Sequence, residues 1–136
     1  MPIIYQKIIM RADLIANSDV LYIFGDNETR KGFGGQAKEM RGCPNAVGVR
    51  TKRAPLFAAD AYWRDSDGKN EERKAMVDAD LLPAVAKLKS GGVVVIPSDG
   101  VGTGFARLAE LSPEILKYIK WRLDGLVDFI PDQERQ

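Results

Sequence analysis

Two glycine-rich segments in this sequence each follow a run of apolar residues and precede a segment with helical spacing. The first covers residues 32–37, and the second covers residues 98–106. Backbone N–H groups at the start of a helix lack partners within the helix and lie at the positive end of its dipole, so such loops attract anions such as phosphate. Two loops of this kind, each at the end of a buried strand, predict a site for one ligand that carries more than one phosphate.

The sequence contains no histidine and a single cysteine, Cys43. These counts exclude a Ser-His-Asp or Cys-His catalytic arrangement and remove the commonest metal ligands. Cys43 lies beside Pro44 with no plausible base nearby, so we expect it to be structural. Asp65, Asp67 and Asn70 lack the spacing to a glutamate that a calcium loop requires. We therefore expect no metal ion and no cofactor.

Length and composition limit the classes of protein to consider. A chain of 136 residues, 45% of them hydrophobic, predicts a single domain over residues 1–136. The formal net charge of +1 gives no global basic field, so there is no strong signal for nucleic acid and none for a membrane. The lone cysteine, with no N-terminal signal and no long apolar run, predicts a cytoplasmic protein.

Apolar runs of strand length alternate with segments of helical spacing along the chain. Strands are predicted at residues 2–9, 20–24, 45–51, 93–96 and, as a last edge strand, 126–130; helices are predicted at residues 11–17, 35–40, 71–89 and 113–123. This alternation predicts an α/β fold with a mostly parallel or mixed sheet. Ligands of such sheets collect beyond the carboxyl ends of the central strands, where both glycine-rich segments begin.

Two helix boundaries have specific signals. Pro83 either kinks the helix at residues 71–89 or marks the first turn of a second helix. Ser112, which precedes Pro113, predicts an N-cap serine followed by proline at the first helical position. We expect the last long helix to begin there.

Residues 56–70 form the one long loop that the sequence predicts. Long loops in compact domains are usually functional or mobile. Tyr62 and Trp63 lie within this loop, and we expect them to serve an interface or a lid, or else to be solvated loop aromatics.

The glycine-rich segments and their surroundings resemble the macrodomain family. Residues 12–14, 20–24, 26–27 and 32–37 are similar to the macrodomain opening, and residues 96–104 are similar to its later phosphate loop. The resemblance covers residues 8–123, and the chain is similar to the small, divergent macrodomains that bacteria and phages encode. The resemblance implies a three-layer α/β/α sandwich with a mixed, mostly parallel sheet.

The same resemblance implies that the ligand is ADP-ribose or a related NAD-derived nucleotide. In that comparison Asp13 accepts a hydrogen bond from the adenine amino group, and Asn27 binds hydroxyls of the distal ribose. The residues themselves leave other interpretations open. Asp13 also suits a surface acid or cap on a short helix, and Asn27 also suits an Asx turn at the end of a strand.

The resemblance also puts both glycine-rich segments around the diphosphate. The implied ligand-binding residues are Gly34, Gly35, Gln36 and Ala37 in the first segment and Gly100, Gly102, Thr103, Gly104 and Phe105 in the second. Their backbone N–H groups would bind phosphate, and Thr103 would add a hydroxyl. The alternative is that the glycines form tight turns that need positive φ. We expect Phe33 and Phe105 to lie in the core rather than to line the ligand.

Residues 51–55, Thr-Lys-Arg-Ala-Pro, resemble the Thr-Lys-Lys-Arg-Ala segment of macrodomains that remove ADP-ribose from glutamate. The resemblance makes Lys52 the candidate nucleophile that attacks the anomeric carbon. Arg50 and Arg53 are expected to lower its pKa by like-charge repulsion, as an amine nucleophile requires. The competing interpretation of Lys52 is a solvated basic edge or a phosphate clamp.

The later loop departs from that hydrolase pattern. The family's Gly-Cys-Gly-Leu-Asp-Arg-Leu aligns with residues 102–108, where Ala106 occupies the position of the aspartate. Alanine cannot transfer a proton, so either catalysis is lost or another carboxylate, Asp99 or Asp26, replaces it. Asp99 equally suits a turn cap. Whether the protein is an enzyme stays open at this point; its substrate would then be an ADP-ribosylated protein.

Two further hypotheses belong to other classes of protein. A Rossmann-like domain would bind a different nucleotide or a sugar phosphate, but its acid about 20 residues after the glycines is poorly matched by Glu39 or Asp60. A non-catalytic interaction protein would use the glycine loops only as turns, and it would bind no nucleotide.

Overall fold

The computed structural model describes residues 1–104 and 106–134. These residues contain a sheet of four parallel strands in the order β1-β4-β2-β3, with β1 (Ile3–Gln6), β2 (Leu21–Asn27), β3 (Ala46–Lys52) and β4 (Val94–Pro97). The helices are α1 (Arg11–Ala16), α2 (Ala37–Met40), α3 (Asn70–Lys89), α4 (Leu108–Leu111) and α5 (Pro113–Asp124), and short 3₁₀ turns cover Ala59–Ala61, Asp65–Asp67, Gly125–Phe129 and Asp132–Glu134. The predicted α/β class is confirmed, and the sheet, predicted as mostly parallel or mixed, is parallel throughout the described strands.

The strands β2 and β4 lie in the centre of the sheet. Every residue of β4 is buried, and most of β2 is buried as well. Continuous apolar, β-branched runs favour a strand that is covered on both faces. Because these strands run parallel, the segments that follow β2, β3 and β4 all begin at the same edge of the sheet.

Successive residues of β2 belong to different hydrophobic clusters. Ile23 packs in a large cluster with residues of α3 such as Leu81. The next residue, Phe24, packs with Leu14 of α1 and Met40 of α2. Since successive side chains of a strand point to opposite faces, these clusters lie on opposite faces of the sheet.

Strand β2 is longer than the sequence predicts. It continues beyond Phe24 through Asn27, because Gly25 and Asp26 pair with residues of β3 and Asn27 pairs with Lys52 after an irregularity in the register. A polar strand end of this kind is stable only where the buried charge has partners. The extension carries Asp26 and Asn27 to the edge where the glycine-rich segments begin.

Helix α3 runs without a break from Asn70 to Lys89, with Pro83 inside it. A second helix beginning at Pro83, one of the two predicted alternatives, is therefore wrong. Pro83 is exposed, whereas Leu81 and Ala84 on either side are buried. Packing of the buried face offsets the hydrogen bond that proline cannot make. In the part of the chain that the structure describes, the helices lack the combination of length and apolar composition that a membrane-spanning helix needs.

The predicted edge strand at residues 126–130 is wrong, because a 3₁₀ turn covers Gly125–Phe129. Leu126 and Ile130 are both buried in the larger hydrophobic cluster. Two buried residues four positions apart suit a helical turn that continues from α5. In a strand, Leu126, Asp128 and Ile130 would all lie on the same face.

The long segment at residues 56–70 is anchored by its aromatic residues. Trp63 is 1% exposed and donates from Nε1 to a Glu28 carboxylate oxygen at 2.9 Å. Tyr62 is also buried and forms an isolated antiparallel bridge with Lys52. The predictions of a lid, an interface or solvated aromatics at these two positions are therefore wrong. Apolar burial of both rings fixes this end of the segment against the core.

Ser112 is followed by Pro113 at the start of α5, as predicted, but its hydroxyl does not cap the helix. The hydroxyl instead donates to the Trp63 carbonyl oxygen at 2.5 Å. The backbone N–H of Glu114 is bound by a carboxylate oxygen of Asp65 at 3.0 Å. Asp65 of the long segment therefore supplies an acceptor for a backbone N–H group at the start of α5, which has no partner within the helix.

We predict that Ser112→Ala lowers the free energy of unfolding by about 1–3 kcal/mol, because the substitution leaves the Trp63 carbonyl without its buried donor. Urea unfolding measures the change. Ser90→Ala is the matched control: Ser90 is exposed and its hydroxyl bonds only the nearby Lys87 carbonyl, so its effect stays within about 0.5 kcal/mol. Equal losses in the two variants would contradict the prediction.

Candidate functional site

A cavity of about 600 Å³ lies at the edge of the sheet where β2 and β3 end. The predicted site residues that line it are Asp26, Asn27, Gly34, Gly35, Gln36, Ala37, Lys52, Asp99, Gly102, Thr103 and Gly104. Lys31, for which the sequence leaves a solvated cation or a phosphate partner open, also lines it. Residues that the sequence analysis missed as part of the site line it too: Arg41, Thr51, Pro55 and Phe57. Both glycine-rich segments thus contribute to one cavity.

Gln36 joins the two glycine-rich segments. Its Oε1 accepts the backbone N–H of Gly25 at 2.7 Å, and its Nε2 donates to the carbonyl oxygen of Gly100 at 3.0 Å. A single amide side chain thus connects the end of β2, the first segment and the second segment. Gly25 and Gly102 also approach closely, since a Cβ on Gly25 would lie 3.5 Å from the backbone nitrogen of Gly102.

Arg41 holds the first glycine-rich segment. Its Nε donates to the carbonyl oxygen of Gly32 at 2.6 Å, and its Nη2 donates to that of Lys31 at 3.2 Å. The same Nη2 donates to Asp26 Oδ1 at 2.5 Å. Because the guanidinium presents several donors in a fixed plane, one side chain binds the loop and the strand at once.

The Asp26 carboxylate is buried between two arginines. Besides Arg41, it accepts from Arg30 Nη1 at 3.0 Å and from the backbone N–H of Asn27 at 2.8 Å. Burial alone would raise the pKa of the Asp26 carboxyl, but the hydrogen bonds from Arg41, Asn27 and Arg30 outweigh it and lower the pKa below its ordinary value. An ionised, fully bonded carboxylate is a poor proton donor at neutral pH.

Lys52 is 6% exposed and lines the cavity. Its Nζ donates to the Leu56 carbonyl oxygen at 2.9 Å and lies 4.5 Å from the ring centroid of Tyr62 and 5.2 Å from that of Phe57. Within residues 1–104 and 106–133, no carboxylate forms an ion pair with it. A solvated basic edge, one of the predicted alternatives, is therefore wrong for this lysine.

Burial lowers the pKa of the Lys52 amine below its ordinary value of 10.5. The direction agrees with the sequence prediction, but the predicted cause is wrong. Arg50 binds Asp80, with Nε at 3.0 Å from Oδ2, and Arg53 binds Asp60, with Nη2 at 3.2 Å from Oδ2. Desolvation, rather than repulsion by these two arginines, disfavours the charged amine.

The second segment brings an acid and a hydroxyl to the cavity. Asp99 is exposed, and its backbone carbonyl accepts a hydrogen bond from the Thr103 hydroxyl at 3.0 Å. Ala106, in the position of the family's aspartate, is buried and also lines the cavity. Gly100 contributes its carbonyl to Gln36. Phe105 lies outside the described residues.

The side chain of Asn27 forms an Asx turn, which is one of the two roles that the sequence left open for it. Its Oδ1 accepts the backbone N–H of Thr29 at 3.0 Å and also the Thr29 hydroxyl, while its Nδ2 donates to the Lys31 carbonyl at 2.8 Å. Asn27 nevertheless lines the cavity. A ribose contact would therefore use the second proton of its amide, and that role stays a prediction.

Asp13 is not among the residues that line the cavity. Its Oδ2 accepts the backbone N–H of Met10 at 2.9 Å and Nε2 of Gln6 at 3.0 Å. The bond from Met10 caps α1, which is an alternative that the sequence left open. The adenine contact implied by the resemblance stays a prediction.

Phe33 does not lie in the core, where the sequence predicted it. It is 66% exposed and lines the cavity, so the predicted core placement is wrong. The residue follows Gly32, whose φ of 94° is open to glycine but strained for other residues. Apolar periodicity alone does not predict a turn at Gly32, and it therefore does not predict that Phe33 is exposed.

The helices that follow the glycine-rich segments are short. Both Ala37–Met40 and Leu108–Leu111 span four residues. A helix dipole of one turn is small, so an anion in the cavity would depend on loop N–H groups and on Lys52 more than on helix dipoles. The described residues hold no group of three or more Cys, Asp or Glu side chains arranged to bind a metal ion.

The fold and cavity define an α/β protein with a cleft at the carboxyl ends of parallel strands. The chain belongs to the DUF7831 family, a family of unknown function, which matches residues 4–122. No curated protein and no solved structure matches the chain.

We predict that Gly102→Ala lowers the free energy of unfolding by about 1–3 kcal/mol. Gly102 has a φ of 81°, and a Cβ there would overlap Cδ1 of Leu108 and lie 2.9 Å from its Cγ. Thermal and urea unfolding measure the loss. Gly104→Ala is the control, because a Cβ at Gly104 meets no described heavy atom within 4 Å. A loss in Gly104→Ala as large as that in Gly102→Ala would refute the steric explanation.

We predict that stability depends on pH through Lys52. Its pKa is lowered in the folded protein, so between that value and 10.5 the unfolded chain binds more protons, and the free energy of unfolding rises with pH. Lys52→Met removes this contribution, which urea unfolding between neutral pH and about pH 10 measures. Lys120→Met changes an exposed lysine on α5 and keeps the wild-type slope. An unchanged slope in Lys52→Met would show that burial does not perturb this amine.

Proposed function

We propose that the cavity binds ADP-ribose or a closely related NAD-derived nucleotide, with the diphosphate between the two glycine-rich segments. We also propose that the fold is a macrodomain-like three-layer α/β/α sandwich. The observation that carries the proposal is that residues 32–37 and 102–104, far apart in sequence, line one cavity and are joined through Gln36. A volume of about 600 Å³ lies within the range of cofactor sites.

The charges around the cavity suit an anionic ligand. Arg30 and Arg41 compensate the negative charge of Asp26. Lys52 forms no ion pair with a carboxylate among the ion pairs of the described residues, and it is buried, so its ammonium charge is screened less by water than a surface charge would be. A diphosphate supplies the compensating charge that the protein does not.

The sheet order argues against the Rossmann-like alternative. In the dinucleotide fold the first strands of a mononucleotide unit lie side by side. Here β4 lies between β1 and β2, and the first glycine-rich segment follows β2 rather than the first strand. The sheet order therefore favours the ADP-ribose proposal over a Rossmann-type nucleotide site.

A second candidate function is hydrolysis of an ADP-ribosyl bond on a protein. The observation that favours it is the Lys52 amine, which lines the same cavity and whose pKa burial lowers. A neutral amine is the form that attacks an electrophilic carbon. Asp99 lies at the same cavity and would assist as the exposed carboxylate, since Asp26 is already bonded to two arginines.

The binding proposal is tested by thermal shift and calorimetry with ADP-ribose, AMP, ATP and NAD. We expect ADP-ribose to stabilise the protein most, because ligand stabilisation grows with concentration relative to Kd. Gln36→Leu separates the two segments and weakens ADP-ribose binding about tenfold or more. Gln133→Leu, at an exposed glutamine that does not line the cavity, keeps the wild-type affinity. No stabilisation by any nucleotide would refute the proposal and favour an interaction protein.

The hydrolase candidate needs a separate measurement. A protein ADP-ribosylated on glutamate is incubated with the wild type and with Lys52→Met. Loss of the modification with the wild type alone supports turnover that depends on Lys52. Binding of free ADP-ribose without any loss of the modification rejects the hydrolase and leaves a binding module.

A further inference from the structure

A second cavity, of about 450 Å³, lies beside the first one. Its lining includes Glu28 and Arg53, which directly follow Asn27 and Lys52 of the first cavity. It also includes Tyr62, whose ring centroid lies 4.5 Å from the Lys52 Nζ. The contact between the Lys52 amine and the Tyr62 ring therefore separates two neighbouring cavities.

The second cavity lies on the β3 side of the first. Both cavities are lined by residues at or just after the ends of β2 and β3, but among the described residues only the first is lined by the glycine-rich segment that follows β4. The second is lined instead by residues of α3, namely Glu72, Arg73 and Met76. Because β3 is an outer strand, the second cavity extends from the edge of the sheet to the start of α3.

Buried contacts hold the base of the second cavity in place. The Trp63 ring is 1% exposed, and its Nε1 donates to Glu28 Oε2 at 2.9 Å. The Arg73 guanidinium lies 5.3 Å from the centroid of that ring. It also donates to the Arg64 carbonyl oxygen at 2.8 Å and to Asp67 Oδ2 at 2.7 Å. The cavity is thus shaped by the protein's own contacts, which lowers the cost of ordering it around a ligand.

The lining of the second cavity carries both signs of charge. Among the residues that the structure describes, four basic and four acidic ones line it: Arg53, Arg64, Lys69, Arg73, Glu28, Asp60, Asp67 and Glu72. Arg53 pairs with Asp60, and Arg73 pairs with Asp67. Arg64, Lys69 and Glu72 take part in no ion pair between described side chains. These three charged groups are available to a ligand.

The proposed nucleotide site determines what reaches the second cavity. In that proposal Asn27 contacts the distal ribose, and Lys52 lies at its anomeric carbon. The anomeric carbon is the atom through which an ADP-ribosyl group is joined to a protein side chain. The diphosphate occupies the other end of the first cavity, between the glycine-rich segments, so the attached protein leaves at the Lys52 end. The second cavity begins at that end.

We propose that the second cavity binds the polypeptide segment that carries the ADP-ribosyl group. The inference rests on the proposed function and adds the part of the ligand beyond the nucleotide. A polypeptide has an N–H donor and a carbonyl acceptor at nearly every residue. Arg64 and Lys69 donate hydrogen bonds and Glu72 accepts them, so the lining can bind both kinds of backbone group.

The charged lining also limits the side chains that flank the modified residue. Because the four basic and four acidic residues balance, the lining favours neither a strongly acidic nor a strongly basic segment. Large apolar side chains would cover Arg64, Lys69 and Glu72 without a hydrogen bond, which is unfavourable. Small polar side chains such as serine are therefore preferred.

Titration calorimetry compares free ADP-ribose with a peptide that carries ADP-ribose on a glutamine between serines. The amide bond of the glutamine replaces the ester of a modified glutamate and resists hydrolysis, so the measurement reports binding and not turnover. We expect the wild type to bind this peptide about tenfold more tightly than free ADP-ribose. We expect the gain to be lost when leucines replace the serines.

The variant that tests the second cavity combines Arg64→Gln with Glu72→Gln, which leaves the net charge unchanged. We expect it to bind the serine peptide only as tightly as free ADP-ribose, and free ADP-ribose as tightly as the wild type does. The matched control combines Lys117→Gln with Asp124→Asn, since both residues are exposed on α5 and line neither cavity. This control keeps the tenfold gain.

The outcomes separate this inference from the function on which it rests. Suppose that free ADP-ribose binds, but the serine peptide has no advantage or keeps its advantage in the Arg64 and Glu72 variant. The peptide site is then overturned, and the nucleotide site stands. Weaker binding of free ADP-ribose in that variant also overturns the inference, because these residues would then act on the nucleotide. If the wild type binds neither ligand, the proposed function fails, and the peptide site fails with it.

Discussion

The cavity edge of this protein depends on two buried carboxylates that arginines compensate. Asp26, at the end of β2, binds Arg41 and Arg30, and Arg30 extends to Asp80 of α3 at 2.6 Å. Asp80 in turn accepts from the backbone N–H of Arg50 in β3 at 2.9 Å. One network thus ties both strands, helix α3 and the first glycine-rich segment together. Each of the two carboxylates has two arginine partners, so its buried charge is compensated from more than one segment of the chain.

The same network decides the electrostatics of the cavity. Because two arginines compensate the charge of Asp26, its carboxylate stays ionised, and Lys52 is the buried lysine that lines the cavity. Gly48 makes this arrangement possible, since a Cβ there would overlap Asp26 Oδ2 and lie 2.8 Å from Asp26 Cβ. The missing side chain at Gly48 in β3 therefore leaves the space that the Asp26 carboxylate occupies beside the cavity.

The sequence predicted those elements, strands and loops, that depend mainly on residues close to one another in the chain. Apolar, β-branched runs located β2, β3 and β4, and glycines at their ends located both loops on one edge, because parallel strands end on the same side. The partners of Asp26, the burial of Trp63 and the position of Phe57 at the cavity were not predictable in this way. Each depends on residues distant in sequence, and the same local pattern is compatible with a solvated loop. The turn at Gly125–Phe129 was mistaken for a strand because five mostly apolar residues suit either structure.

The segment that carries Phe57 is closed at its base. The backbone N–H of Arg53 donates to the Ala61 carbonyl at 2.9 Å, and Lys52 and Tyr62 form a bridge directly beneath this bond. Residues 53–61 therefore have the character of an Ω-loop, a compact excursion whose two ends meet. Trp63 and the contacts of Asp65 with α5 fix the chain just beyond it. Insertions or exchanges of residues at the tip of this loop can alter the lining of the cavity while the sheet keeps its register, so cavity shape and fold stability can evolve separately in this protein.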